Sequence, residues 1–193
     1  MADTKVKSKE VTSQEKRDFL VITGSALAAV GAGAAAIPFV HSLNPAADTL
    51  ALSTTEVNLA SIVEGQSVTV IWQGKPVFIR HRTAEEIAKA KADEATDVAL
   101  PDPQKDSDRV VDLKGRERPE WLVVVGICTH LGCIPQGQKP SEVRGEYNGW
   151  FCPCHGSHYD TSGRIRKGPA PKNLAVPPYE FTTDTTIRIG EEI

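Results

Sequence analysis

The longest apolar run of the chain lies near its beginning. Residues 19–40 contain 22 positions without a charged side chain, which is long enough to cross a bilayer as one α-helix. Lysine and arginine precede this run at five positions and do not return until Lys75. The positive-inside rule therefore predicts that residues 1–18 are cytoplasmic and that the remainder is exported. A cleaved secretory signal is the alternative, but its apolar region has only about 7–15 residues, so a retained transmembrane helix is favoured.

Beyond residue 50 the apolar positions follow patterns that are typical of strands. Residues 68–72 and 77–79 flank the turn sequence Gln-Gly-Lys-Pro, which predicts a β-hairpin. Residues 121–127 form a nearly continuous apolar run that fits a buried strand, and residues 179–189 predict a second hairpin. We therefore predict a mainly β domain over residues 51–193. Residues 41–50 show neither a strand nor a helix pattern, and we predict a flexible hinge there.

One helix and one long polar stretch interrupt the predicted strands. Thr83 is followed three residues later by Glu86, a capping-box pattern that predicts a helix from Thr83 to about Ala95. Residues 96–120 are polar and contain several prolines. We predict that this stretch runs over the surface and that its charges form a solvated face.

Composition narrows the classes of function. The charged fraction of 24% and the hydrophobic fraction of 40% are ordinary for a folded protein, and the net charge is −3. A chain without a basic excess or a basic stripe does not have the electrostatic footprint of a nucleic-acid-binding protein. We therefore expect no nucleic-acid partner.

Residues capable of metal chemistry are concentrated in two short segments. All four cysteines and three of the five histidines lie in Cys128-Thr129-His130-Leu131-Gly132-Cys133 and Cys152-Pro153-Cys154-His155-Gly156-Ser157-His158-Tyr159-Asp160. Two structural disulfides would suit an exported domain, but they do not account for a histidine near a cysteine in both segments. A zinc site with two cysteines and two histidines would leave the other two cysteines without a role.

These two segments resemble, almost residue for residue, the cluster-binding loops of the Rieske iron–sulfur proteins of bc1-type quinol–cytochrome c oxidoreductases. Gly168-Pro169-Ala170-Pro171 resembles the third, proline-containing loop of that family. The resemblance implies one [2Fe–2S] cluster, with one iron held by two cysteines and the other by two histidines. The implied ligands are Cys128, Cys152, His130 and His155, and the implied disulfide joins Cys133 to Cys154.

The resemblance also assigns roles to residues around the cluster. Ser157 and Tyr159 match positions whose hydroxyls donate hydrogen bonds to a bridging sulfide and to a ligand thiolate, which raises the reduction potential. His155 and His130 would contact the quinol and couple proton transfer to electron transfer. Leu131, Gly168 and Pro169 would belong to the docking face.

The fold and the partners implied by the resemblance are those of a membrane complex. The exported domain would be an antiparallel β-sandwich with a smaller cluster-binding β subdomain at about 121–175, preceded by one transmembrane helix. Its partners would be cytochrome b, cytochrome c1 and ubiquinol, in a dimeric, proton-translocating complex. The location would be a bacterial inner membrane, with the domain in the periplasm.

Two related classes of protein are the alternatives. A soluble Rieske ferredoxin would lack both the anchor and the Cys133–Cys154 pair. A b6f-type subunit would share the anchor and the cluster motifs, but residues 83–120 resemble the proteobacterial bc1 type. Residues 16–20, Lys-Arg-Asp-Phe-Leu, resemble a twin-arginine export signal with Lys16 in place of the first arginine, which implies export of a folded domain.

Overall fold

The computed structural model describes residues 12–44, 53–94 and 100–190. The chain divides into two units, residues 1–47 and residues 48–193. The predicted hinge at residues 41–50 lies outside the described residues from position 45 onward.

The described part of the first unit is one long helix. Helix α1 spans Ser13–His41 and begins with a capping box, because Thr12 accepts a hydrogen bond from the backbone of Glu15 while the Glu15 carboxylate accepts one from the Thr12 backbone. Its most apolar window has a mean hydropathy of 1.9. The helix is therefore long and apolar enough to cross a membrane, and it includes the whole apolar run of residues 19–40.

The described part of the second unit consists of three antiparallel sheets and one α-helix. The strands are β1 (Thr55–Asn58), β2 (Ser67–Trp72), β3 (Lys75–His81), β4 (Trp121–Val125), β5 (Asn148–Cys152), β6 (Ser157–Asp160), β7 (Ile165–Lys167), β8 (Tyr179–Thr183) and β9 (Thr186–Ile189). Their orders in the three sheets are β1-β9-β8, β2-β3-β4 and β5-β6-β7. Helix α2 spans Ala84–Glu94. The prediction of a mainly β domain after one N-terminal helix is confirmed.

The first predicted hairpin is confirmed, with a tighter turn than the sequence suggested. Strand β2 pairs with β3 so that Trp72 faces Lys75. The turn therefore contains only Gln73 and Gly74, both at positive φ (48° and 72°). This backbone matches the twist of a two-residue hairpin. The predicted hairpin of β8 and β9 is also confirmed, as is the capping box of α2, in which Glu86 and Thr83 exchange side-chain and backbone hydrogen bonds.

The continuous apolar run at residues 121–125 is explained by burial on both faces of the central sheet, which is formed by β2, β3 and β4. Side chains alternate along a strand, and Val77, Ile79 and Val123 enter a core shared with β8 and β9. Phe78 and Val124 point to the opposite face, where they enter a second core shared with β5 and β6. The central sheet thus supports the third sheet, from which the candidate site is built.

The polar stretch before β4 differs from the prediction of a solvated face. Asp106, Arg109 and Asp112 are 1%, 2% and 5% exposed. The Arg82 guanidinium forms two hydrogen bonds with the Asp106 carboxylate, at 2.6 and 3.1 Å. The prediction was wrong for these three residues because hydrophobic patterning cannot recognise a charge that is buried against an opposite charge.

Candidate metal centre

The first loop of the site follows β4 and turns back on itself. The backbone N–H of Cys128 donates to the carbonyl of Cys133 (2.7 Å), and that of Gly132 donates to the carbonyl of Cys128 (3.0 Å). Gly132 has a φ of 83°, a conformation that glycine adopts without strain. These bonds curl the loop so that Cys128 is buried while Leu131 is 70% exposed.

The second loop is the tip of the hairpin formed by β5 and β6. Cys152 ends β5 and pairs with Ser157, the first residue of β6. The backbone of Gly156 closes the tip by donating to the carbonyl of Cys152 (3.0 Å). The tip therefore projects Cys154 and His155 into solvent, whereas Cys152 and Ser157 lie at the buried base.

The four cysteines divide into one disulfide and two buried thiols. Cys133 is joined to Cys154 in a disulfide, which ties the first loop to the second. Cys128 and Cys152 are free thiols, each 2% exposed. The sulfurs of Cys133, Cys152 and Cys154 lie within 4.8 Å of one another, but the disulfide sulfurs are not thiolate ligands. Of these three sulfurs, only that of Cys152 remains available to a metal.

The environment of the free thiols disfavours two neighbouring thiolates without a cation. Burial raises the pKa of Cys152, and the hydrogen bond and charge of the neighbouring Cys128 raise it further. A bound metal favours the thiolate over the thiol, because the charge of the ion deprotonates a coordinating thiol. Two adjacent buried thiols therefore suit a metal-bound state.

The two histidines of the motifs lie next to each other. The rings of His130 and His155 are 4.5 Å apart between centroids and nearly perpendicular, at 87°. The Nδ1 atom of His130 is buried and has no hydrogen-bond partner among the described residues. A buried imidazole nitrogen normally has a partner, and a metal ion supplies one. Two buried thiols and two adjacent imidazoles fit the mixed sulfur and nitrogen ligand set of a Rieske cluster.

Two hydroxyl groups lie beside these ligand atoms. The Tyr159 hydroxyl donates to the sulfur of Cys128 at 3.2 Å. Burial raises the pKa of Tyr159, and its contact with Cys128 adds to this effect, so the phenol keeps the proton that it donates. Ser157 is 1% exposed, and its hydroxyl oxygen accepts a hydrogen bond from the backbone of Ala170 at 3.2 Å. The hydroxyl proton of Ser157 therefore remains free to donate.

The third loop lies directly against the other two. A Cβ atom on Gly168 would be 2.5 Å from the carbonyl oxygen of Gly156 and 2.6 Å from the Cα of Ser157, so only glycine fits. On the other side, the Thr129 hydroxyl donates to the carbonyl of Lys172 (2.6 Å) and accepts from the Lys172 backbone (3.3 Å). The predicted docking residues Gly168 and Pro169 are exposed on this loop.

Sequence reasoning missed one exposed apolar residue and left one histidine without a role. Ile134 is 61% exposed next to Cys133, and its apolar character directly after the disulfide cysteine was the available signal. His158 is half-buried, packs against the Phe151 ring and accepts the backbone N–H of Glu146 at 3.1 Å. It has a structural environment and lies outside the ligand group.

Family comparisons agree with this geometry. Residues 58–179 match the model of the Rieske [2Fe-2S] domain. Residues 6–46 match the model described as "Ubiquitinol-cytochrome C reductase Fe-S subunit TAT signal". The second match covers Lys16-Arg17 and the whole apolar helix Ser13–His41, so the N-terminal region is the signal and anchor region of such a subunit.

Relatives from bacteria and from a fungus are similar over most of the chain. The ubiquinol-cytochrome c reductase iron-sulfur subunit of Rhodospirillum rubrum is 58% identical over 91% of each chain. The subunit of the same name from Rickettsia prowazekii is 56% identical over 98% of this chain and 100% of its own. The mitochondrial cytochrome b-c1 complex subunit Rieske of Candida albicans is 52% identical over 89% of this chain and 75% of its own.

These matches resolve the alternatives that the cysteines and histidines left open. The family model names a [2Fe-2S] cluster, so the cofactor is neither zinc nor a pair of bare disulfides. The relatives that match over most of the chain are iron-sulfur subunits of ubiquinol-cytochrome c reductase, which favours the bc1 type over a soluble ferredoxin or a b6f-type subunit. The chain therefore belongs to the family of membrane-anchored Rieske [2Fe-2S] subunits of ubiquinol–cytochrome c reductase.

Proposed function

We propose that this subunit carries single electrons from ubiquinol to a c-type cytochrome, and that its ligands are Cys128, Cys152, His130 and His155. When bound, a Rieske cluster supplies a one-electron couple, with potentials of about −150 to +300 mV across the family. The observation that carries the proposal is that two neighbouring buried thiols and two neighbouring imidazoles lie on two loops that a disulfide joins. One imidazole, that of His155, is exposed.

The exposed tip suits a quinol and a protein partner. Ubiquinol releases protons when it is oxidised, and we propose that the exposed His155 ring accepts a hydrogen bond and a proton from the quinol hydroxyl. Leu131, Ile134, Gly168 and Pro169 are exposed beside it and provide a mostly apolar rim. We propose that this rim docks on cytochrome b when the quinol is oxidised and on cytochrome c1 when the electron is delivered.

The proposed position in the cell follows from charge and hydropathy. Residues 19–40 would cross the inner membrane, with residues 1–18 in the cytoplasm and residues 51–193 in the periplasm. Within the exported domain, residues 121–175 would form the cluster-binding subdomain. The complex would be dimeric, and the release of quinol protons on the periplasmic side would contribute to proton translocation.

Electron transfer from ubiquinol can be followed directly in the purified complex. Mixing the oxidised complex with ubiquinol should produce the EPR signal of the reduced cluster together with reduction of the cytochrome haems. Reduction of the cytochromes at full rate in a complex whose Rieske signal never forms would contradict the proposal.

Removal of either hydroxyl beside the ligands should lower the reduction potential. A reduced cluster is more negative than an oxidised one, so a hydroxyl donor stabilises it more. A hydrogen bond to a charged group contributes about 1.5–3 kcal/mol, and we take about half as the difference between redox states. A tenfold change in the equilibrium constant for reduction, or about 1.4 kcal/mol, corresponds to about 59 mV for one electron. Ser157→Ala and Tyr159→Phe should therefore each lower the midpoint potential by about 30–70 mV.

A redox titration followed by EPR measures both variants, and the retained cluster signal serves as the internal control. His158→Asn is the matched variant, because it lies on the same strand between the two hydroxyl residues and has no contact with the ligand thiols. Its potential should remain that of the parent protein. Unchanged or raised potentials in both hydroxyl variants would show that these groups do not donate to the cluster.

We further propose that the domain moves between its two docking sites on the segment of residues 41–50. The backbone is attached to the domain at Ser53, whose carbonyl accepts the indole N–H of Trp72 at 2.7 Å. His41 ends helix α1, and the backbone of residues 42–44 bonds back to the last turn of that helix. The six residues that follow can extend to about 20–22 Å, which gives the attached domain room to move. Most of this segment lies outside the described residues, and the proposal rests on its sequence.

Stiffening this segment should slow turnover without changing the cluster. The double variant Ala46→Pro and Ala47→Pro restricts the backbone at both positions and changes no ligand. We expect the steady-state rate of ubiquinol–cytochrome c reduction to fall at least about tenfold, which corresponds to about 1.4 kcal/mol of added barrier. The EPR signal and the potential should remain those of the parent protein.

The matched control is Ala46→Ser with Ala47→Ser, which changes the same positions and leaves the backbone free. It should retain the parent rate. Full turnover in an assembled double-proline complex would argue against a moving domain.

A further inference from the structure

The polar segment of residues 100–109 is hydrogen-bonded to the cluster-binding part of the domain through one buried guanidinium. Arg109 is 2% exposed. Its Nε atom donates to the carbonyl of Ser162, and one terminal nitrogen donates to the carbonyl of Leu174, both at 2.6 Å. Ser162 lies in the turn between β6 and β7, whereas Leu174 follows the third loop. One side chain therefore bridges two separate segments of the cluster-binding region.

Asn173 adds further hydrogen bonds between the polar segment and the cluster-binding part. The side-chain oxygen of Asn173 accepts the backbone N–H of Ile165 at 2.9 Å. Its amide nitrogen donates to the carbonyl of Asp102 at 2.9 Å, and its backbone N–H donates to the Asp102 carboxylate at 3.0 Å. Gln104 accepts hydrogen bonds from both Arg109 (2.6 Å) and Asn173 (3.3 Å). Residues 173 and 174, which follow the third loop, are thus held by the polar segment.

Buried acidic groups compensate the charge of this guanidinium. Burial lowers the pKa of Arg109 to about 10, while Asp160, Asp102 and Asp106 favour its charged form. Arg109 is therefore cationic at neutral pH, and both of its carbonyl contacts are charge-assisted. Such hydrogen bonds are stronger and more directional than neutral ones.

A surface pocket separates part of the polar segment from the residues that follow the third loop. It has a volume of about 340 Å³ and is lined by Gln104, Arg109, Thr129, Lys172 and Leu174, among others. Side-chain packing therefore does not fill the space between these two segments, and the hydrogen bonds of Arg109 and Asn173 connect them. The third loop is therefore positioned by the contact of Ser157 with the buried Ala170 and, just after the loop, by contacts of Thr129, Asn173 and Arg109.

We propose that Arg109 is a positioning residue that holds the third loop in place and thereby orients the Ser157 hydroxyl toward the cluster. The link is the Ala170 backbone, which donates to the Ser157 oxygen. While that donor occupies one side of the oxygen, the hydroxyl proton has fewer directions available. The inference rests on the proposed function in one respect, namely that Ser157 donates to the cluster.

The test is Arg109→Lys in the complete subunit within the purified complex. Lysine keeps the charge but has one nitrogen, so it cannot bridge the carbonyls of Ser162 and Leu174 with a rigid fork. We expect the cluster to be retained and the equilibrium constant for its reduction to fall about threefold, equivalent to about 28 mV. Amide hydrogen exchange should become faster across residues 168–174, with a changed EPR line shape.

The matched control is Arg116→Lys. The Arg116 guanidinium likewise donates hydrogen bonds to more than one partner, the carboxylate of Asp112 and the carbonyl of Phe181, but these partners lie away from the cluster loops. This variant should lower stability without changing the potential or exchange in residues 168–174. If Arg109→Lys does not assemble, Gln104→Ala removes one partner of both Arg109 and Asn173 from an exposed position, and it should shift both readouts in the same direction by a smaller amount.

Parent-like potential and exchange in assembled Arg109→Lys, or equal shifts in Arg116→Lys, would overturn the proposal. A parallel measurement of Ser157→Ala distinguishes failure of the proposal for Arg109 from failure of the proposed function. If Arg109→Lys lowers the potential but Ser157→Ala does not, the loop does not act through the hydroxyl, and the proposal is overturned while the proposed function stands. Absence of a cluster from the parent subunit would overturn the proposed function itself.

Discussion

Replacement of any one of the four proposed ligands is expected to remove the cluster. Cys128→Ser, Cys152→Ser, His130→Asn and His155→Asn each remove one coordinating atom. Within the described structure, the other two cysteines are committed to the disulfide between Cys133 and Cys154, and His158 lies in a separate contact with Phe151. No neighbouring side chain is therefore placed to replace a lost ligand.

Metal and sulfide analysis of the purified complex measures this prediction. The parent subunit should contain about two iron atoms and two labile sulfides per chain, and its reduced form should show an EPR signal of mixed nitrogen and sulfur ligation. Each ligand variant should lose the signal and the ubiquinol–cytochrome c reductase activity. His158→Asn is the control, because this histidine lies close to the ligands in sequence but bonds to the backbone of Glu146; it should keep both.

Two results would contradict the ligand assignment. Recovery of one zinc ion and no sulfide from mature parent protein would exclude a Rieske cluster. A parent-like EPR signal in one of the four variants would show that the replaced residue is not a ligand.

The site could be predicted from the sequence to the extent that its chemistry is local. The two motifs are short, and each holds its residues on one loop, so their resemblance to the cluster-binding loops of the family was sufficient to indicate the [2Fe-2S] cofactor. The hydrogen bond between Tyr159 and Cys128 joins the two loops across 31 positions. The resemblance to the family implied such a bond, whereas periodicity and spacing alone carried no information about it.

The fold was predictable where one face or both faces of a strand are apolar. The hairpins and the buried strand at residues 121–125 were found because apolar periodicity reports burial directly. For residues 100–109, the sequence pattern did not reveal which side chains are buried. Arg109 and Asp106 are charged, and their burial depends on partners at Ser162, Leu174 and Arg82. Such compensation is long-range, and a polar sequence pattern looks the same whether its charges are solvated or paired.

The same buried charges lead to the largest expected effect on stability. Arg82 and Asp106 form an ion pair whose side chains are 0% and 2% exposed, and Ser162 donates a further hydrogen bond to the carboxylate at 2.6 Å. Removal of one partner from a buried pair leaves an uncompensated charge, which costs about 3–5 kcal/mol. Asp106→Asn keeps the size of the side chain but removes the negative charge opposite Arg82. We therefore expect the free energy of unfolding to fall by about this amount.

The pH dependence provides an independent readout of the pair. Burial alone would raise the pKa of Asp106, but the hydrogen bonds and charge of Arg82, with help from Ser162 and Arg164, outweigh it and leave the pKa below its ordinary value. An acid whose pKa is lowered by folding stabilises the folded state above its unfolded pKa, which is about 3.9 for aspartate. That contribution is lost as the pH falls through the lower, folded pKa. Asp106→Asn should therefore abolish part of the acid sensitivity below about pH 4.

Thermal unfolding of the detergent-solubilised full chain, followed by circular dichroism, measures both effects. For a domain of this size, a loss of 3–5 kcal/mol lowers Tm by about 10 °C or more. Asp108→Asn is the matched control: this carboxylate is two positions away but exposed, where it accepts a backbone hydrogen bond from Lys105 at 3.3 Å. Its effect should stay within about 0.5 kcal/mol. Equal Tm values for the two variants at neutral pH would mean that the buried pair adds nothing beyond a surface charge. A full acid response in Asp106→Asn would assign the pH dependence to other carboxylates.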